Sequence, residues 1–175
     1  MPQFDDFFAS AANQFAPELR SAIESSSMPG LADGPFDAAL AQQLESANAS
    51  SLQTQSGQIP APPLVVSGLW LLAGDLDRSH SISQNEPSAQ GSFWHGIMHR
   101  REGDYSNAAY WFRRVRSSPV FDSLCEIYPD QYSDPFDFND SVAAAVRHDN
   151  EEAIVSLQQI QWTEWQLLMQ ECMPS

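Results

Sequence analysis

The chain contains no lysine. All eight of its basic residues are arginine, set against 23 acidic residues in a total of 175, for a formal net charge of −15. A field of that sign repels phosphate backbones and anionic lipid surfaces at long range, so nucleic acid and membranes are not expected as partners. Cysteine is almost as scarce. Cys125 and Cys172 form neither a disulfide framework nor a CxxC or metal-ligand spacing, and they read as small buried thiols of a reducing, cytoplasmic protein. Long apolar runs are missing too: the longest, LVVSGLWLLAG from Leu64, falls short of the roughly 20 residues a membrane helix needs. The opening MPQFDDFF is acidic where a secretory leader is basic. There is no phosphate-cradling glycine loop, no GxSxG elbow and no EF-hand loop, and neither cysteine has a histidine beside it in sequence.

What is present is helical spacing. A chain of this length can bury a core without staples, and one compact domain is expected overall. Within it, residues 1–60 read as an N-terminal helical arm with helices near Phe4 to Glu24 and Pro35 to Ser50, the latter introduced by Asp33, Gly34 and a proline suited to a first helical turn. The arm ends in a Ser/Gln/Pro linker, SANASSLQTQSGQIPAPP, over residues 46–63. Residues 61–175 show no alternating strand pattern and no Asn-Gly hairpin signal, and read as an all-α helical-hairpin domain.

Two segments, PLVVSGLWLLAGDLDRSHSISQ and GSFWHGIMHRREGDYSNAAYWFRRV, each carry a Gly-Asp pair at the midpoint. Gly74 and Gly103 suit the left-handed position that ends a helix, and Asp75 and Asp104 suit the N-cap of the next. Each segment is therefore expected to be two helices joined by a tight turn. Further on, the aspartates of DQYSDPFDFND read as a turn and helix cap, and His148 as a dipole partner near a helix C-terminus. The final helix, from about Asn150, has apolar residues over more than half its circumference, which predicts packing on several sides, by the core or by a second subunit in a homo-oligomer.

GIMHRREGDYSNAAYWFRRVRSSP resembles the tetratricopeptide repeat: small Gly96, the turn Gly103-Asp104-Tyr105, small Ala108, aromatic Phe112 four residues on, and Pro119. The preceding segment matches at Trp70, Gly74, Asp75 and Ser79 but has Ser83 at the aromatic position. The two Gly-Asp pairs are 29 residues apart, where the repeat has about 34. The resemblance implies a pair of degenerate helical hairpins. The longer string WHGIMHRREGDYSNAAYWF is also similar to one in an uncharacterised family of soluble proteins, which implies no activity.

The chemistry-bearing residues gather in the second segment. On a helix over residues 91–102, Phe93, Trp94, Ile97 and Met98 share one arc, while His95, His99 and Glu102 form a polar stripe facing solvent or a groove beside a neighbouring helix. Imidazoles at i and i+4 suit a divalent transition metal such as Zn, Mn, Fe or Ni. A third ligand has to come from elsewhere, and His80 or Asp77 are the candidates, because Glu102 lies about 10.5 Å along the axis from His95. With a metal-bound water, Glu102 is the candidate general base of a hydrolase. The other functional reading uses the local excess of arginine between Arg78 and Arg116: Arg78, Arg100 and Arg101, with Trp94 and Tyr105 as aromatic walls, would bind a small anionic ligand or a protein partner. The plain alternatives are a solvated helix face and arginines paired internally with the following aspartates.

Overall fold

The computed structural model describes residues 13–45, 51–54 and 57–174. The protein is all-α, with nine helices and one short hairpin among the described residues. The first helix, α1 (Pro17–Ser25), begins on its proline and turns Leu19 and Ile23 inward at i and i+4. The stretch expected to be helical before it, residues 4–12, lies outside the described residues. Helix α2 (Ala38–Glu45) starts later than its punctuation suggested: the Asp37 carboxylate accepts from the Leu40 N–H at 3.0 Å and caps the helix, leaving Pro35 outside it. Residues 46–50, read as its end, also lie outside the described residues.

The segment read as a linker contains an antiparallel hairpin of β1 (Ser51–Thr54) and β2 (Gly57–Pro60), in register Ser51 with Pro60 and Thr54 with Gly57. Its anchor is Leu52, which is fully buried and bridges to Phe15 ahead of α1. One buried leucine in a four-residue strand leaves no alternation to read. Leu19, Ile23, Leu40, Leu44 and Leu52 belong to the same hydrophobic cluster as the core of the later helices.

The two Gly-Asp segments fold as expected. Helices α3 (Pro63–Ala73) and α4 (Leu76–Ser83) meet at Gly74, φ 82°, and Asp75 accepts from the Arg78 N–H at 3.0 Å. Helices α5 (Ala89–Glu102) and α6 (Tyr105–Val115) meet at Gly103, φ 87°, and Asp104 accepts from the Asn107 N–H at 3.2 Å. Gly96 lets α5 and α6 close together, since a Cβ there would stand 2.7 Å from the Phe112 ring. Pro119 begins a further helix, α7 (Pro119–Ile127), behind a Ser118 cap. Asp134 caps α8 (Pro135–Arg147) with two bonds, to the N–H groups of Phe136 and Asp137, and exposed His148 closes that helix.

The last helix, α9 (Glu151–Cys172), is a central strut. Every residue from Ile160 to Gln166 is buried, as are Leu168 and Met169. It touches α3, α5, α7 and α8 of its own chain, which accounts for its broad apolar circumference. Trp165 fixes its depth by donating from Nε1 to the Gly68 carbonyl at 2.8 Å. No helix among the described residues is long and apolar enough to cross a membrane.

Candidate metal centre

Helix α5 is buried on all sides from Gly91 to Arg101. It is packed by α3, α4, α6 and α9, so each of its faces meets a different neighbour. Successive side chains point about 100° apart, and this sorts the polar residues. His95 and His99 face the seam between α4 and α6. Arg100 turns toward α9, and Arg101 toward the end of α3.

At that seam α4 contributes His80. One ligand nitrogen from each of His80, His95 and His99 lies within 4.8 Å of the others. Ring centroids are 4.6 Å apart for His80 and His95, 4.8 Å for His95 and His99, and 5.5 Å for His80 and His99. His95 is 2% exposed and His99 7%, while His80 is half-buried at the rim. The expected polar stripe is therefore no solvated face, and of its members only Glu102 reaches solvent. Asp77, the alternative third ligand, is exposed in the first turn of α4 and is not one of the converging groups.

The rings are held from behind. Ser83 Oγ lies 3.1 Å from His95 Nδ1, and Glu102 Oε2 lies 3.1 Å from His99 Nδ1. Asn107, on the first turn of α6, places its amide nitrogen 3.0 Å from His99 Nε2. A carboxylate only accepts, so Nδ1–H of His99 donates to Glu102, and Nε2 of the neutral ring is the unprotonated nitrogen. Trp111, one turn further along α6, lies against His95 at 4.0 Å between centroids. Burial, followed by the charges His99 and His80 would carry, pushes His95 down from its ordinary 6.5 to about 4. It is a neutral base at physiological pH, the form a metal requires.

The arginine set does not converge. Arg100 is completely buried and ion-paired with Glu164 of α9; its Nε donates to Gln161 Oε1 at 3.0 Å, and its guanidinium sits 4.8 Å from the Phe138 ring. Arg101, also buried, donates to the Leu71 carbonyl, and burial lowers its pKa to about 10, with Asp33 opposing. Arg78 is exposed, bound to Glu45 and Asp75, and lies over Trp70. Trp94 is a core residue with no exposure, and Tyr105 lies against the α8 side, where Asn139 donates to its carbonyl. The accessible arginine pair expected for an anion is thus corrected: both guanidiniums are internal struts, and the Arg100 partner is Glu164 rather than an aspartate of the 130–140 stretch.

Two residues beside the imidazoles escaped the sequence reading. Ser83 stands out only as a missing aromatic, three residues beyond His80. Asn107 is visible only once the Gly103 turn folds α6 back along α5, opposite His99. Compared with protein-family models, curated proteins and solved structures, the chain matches none.

Proposed function

We propose that this protein binds a divalent transition metal through His80, His95 and His99. The observation carrying the reading is the meeting of three imidazoles from two helices within 4.8 Å. Metal-bound imidazole nitrogens at about 2.0–2.1 Å from a tetrahedral ion stand roughly 3.4 Å apart, so the rings need to draw together only slightly. Supporting it, the Nδ1 atoms of His95 and His99 are held by Ser83 and Glu102, which leaves Nε2 of each as the nitrogen for an ion, in the manner of outer-shell partners at metal sites. An all-imidazole set suits Zn, Ni, Cu or Fe. The two hairpins, tetratricopeptide-like in pattern, serve here as scaffold. A cytoplasmic setting fits the two free thiols, Cys125 and Cys172.

The hydrolytic extension, with a metal-bound water and Glu102 as base, gains less support. Glu102 Oε2 is engaged by His99 Nδ1, which favours an orienting role for this carboxylate. The anion-binding alternative needs Arg100 and Arg101 turned outward, against their buried bonds. The test is direct. Full-length protein made without a histidine tag and stripped with chelator should take up one equivalent of Zn(II) or Co(II), measured by elemental analysis and titration. His95→Ala and His99→Ala should each abolish stoichiometric uptake. Equal uptake by a variant lacking all three imidazoles, or none by the native chain, refutes the reading.

A further inference from the structure

Independently of the imidazoles, we infer that the outer face of α6, at Tyr110, Arg113 and Arg114, is a docking surface for an acidic segment of a partner protein. The three residues stand at i, i+3 and i+4, so they share one face of the helix. Ala108, Phe112 and Val115 take the buried side. With α6 packed on α5 and α8, this face is left to solvent: Tyr110 is 49% exposed, and Arg113 and Arg114 are exposed beside it. Arg116, also exposed, follows at the helix end.

These arginines are set apart by what they touch. The chain has 23 acidic residues to eight arginines, and Arg20 and Arg78 pair accordingly, each 2.7 Å from a glutamate. Among the described residues, Arg113, Arg114 and Arg116 have no carboxylate partner. Aromatic rings take that place for two of them. The Arg114 guanidinium lies 5.2 Å from the centre of the Trp111 ring and 5.9 Å from that of Tyr110, with Nη1 3.5 Å from Tyr110 Oη. Arg113 lies 6.0 Å from the ring of Phe136, which is 37% exposed at the start of α8. Stacking engages the plane of a guanidinium and leaves its N–H edge for a carboxylate, with less side-chain freedom to lose on binding.

Positive charge on the last turn of α6 also suits the negative end of that helix. That accounts for neither the missing carboxylates nor the exposed rings. Arginine, tyrosine and tryptophan are the residues that carry most binding energy at interfaces. The chemistry of the occupant follows, since the forks take carboxylates and the rings take the apolar stems beside them. From Tyr110 to Arg116 the face runs roughly 9 Å along the axis, too short for the about 800 Å² that each side of a stable globular interface contributes, and it suits a peptide segment. The surrounding field of the −15 chain selects against long polyanions such as nucleic acid, which leaves short acidic segments.

The test is fluorescence anisotropy of a dye-labelled peptide rich in glutamate, aspartate and leucine, titrated with the full-length protein at low ionic strength. Arg113→Gln with Arg114→Gln should weaken binding about ten-fold or more, and Tyr110→Ala several-fold. Arg20→Gln with Arg78→Gln removes the same charge elsewhere and should change affinity by less than about two-fold. All these variants should unfold thermally with the native protein, because the substituted side chains are exposed. No binding by the native chain overturns the inference, as does equal weakening by the two arginine pairs. Undiminished binding of a probe with glutamine and asparagine in place of its acids overturns it too. Zn(II) uptake by the Arg113, Arg114 variant should match the native chain, so this surface and the metal site stand or fall separately.

Discussion

The two hairpins share one punctuation and diverge in what lies eight residues after the capping aspartate. In the second, Asp104 is followed at that distance by Phe112, whose ring fills the space against Gly96 and meets Phe93 edge-on at 5.9 Å. In the first, Asp75 is followed by Ser83, whose hydroxyl meets His95. The smaller positions differ in the same sense. Ala108 has Ser79 as its counterpart and Gly96 has Ser67, and these two serines bond each other at 2.9 Å. One hairpin is closed by an apolar plug and the other by hydroxyls. The serines of the first hairpin are thus where room and hydrogen bonds for the imidazoles come from.

The largest test of that contrast lies at the plug. Phe112→Ala should cost about 3–5 kcal/mol by denaturant unfolding, since it empties a fully buried site, whereas Ser83→Ala, removing the hydroxyl's bonds to His95 and to the His80 carbonyl, should cost about 1–2 kcal/mol. Comparable losses at the two positions would mean that the hairpins are held together in the same way.

Next in size is the response to acid. His95 is held down to about 4 from its ordinary 6.5, so between those values the unfolded chain binds the proton and the folded one resists it. Stability should therefore be intact above pH 6.5 and decline as pH falls toward 4, by at most about 3 kcal/mol. His95→Asn should flatten this part of the profile. A native curve that is level between pH 6.5 and 4 would show that burial does not hold His95 neutral.

The smallest effect separates the turns. Both glycines have positive φ, so alanine is strained at either by about 1 kcal/mol. A Cβ on Gly103 meets nothing within 4 Å, whereas one on Gly74 comes 2.8 Å from the Pro35 carbonyl. Gly74→Ala should consequently destabilise more than Gly103→Ala in matched urea titrations. Equal shifts would show that the loop ahead of α2 yields freely.

Much of this fold could be read from residues alone, where the determinants were local. Glycine at a left-handed position and aspartate beside it specify the same turn wherever they occur, and both turns formed as expected. The short hairpin and α7 were missed because four-residue strands and a nine-residue helix give little period to detect. The site was legible in its members and not in its form. His95 and His99 announce themselves by spacing, but the arrival of His80 depends on how α4 lies against α5. The arginines misled for a related reason: an apolar arc on one side of a helix implies an exposed face opposite, and α5 has neighbours on every side. Nothing near Arg100 in sequence reveals that its partner is Glu164, 64 residues away.

That ion pair bears on how the chain comes to be folded at all. During synthesis Arg100 emerges from the ribosome long before Glu164, and an unmatched guanidinium is costly to place in an apolar interior. The hairpins made first have no settled core until the last helix arrives to supply the opposite charge. Completion of the interior therefore waits for residue 164 to be made, and a nascent chain halted before it should remain open to protease.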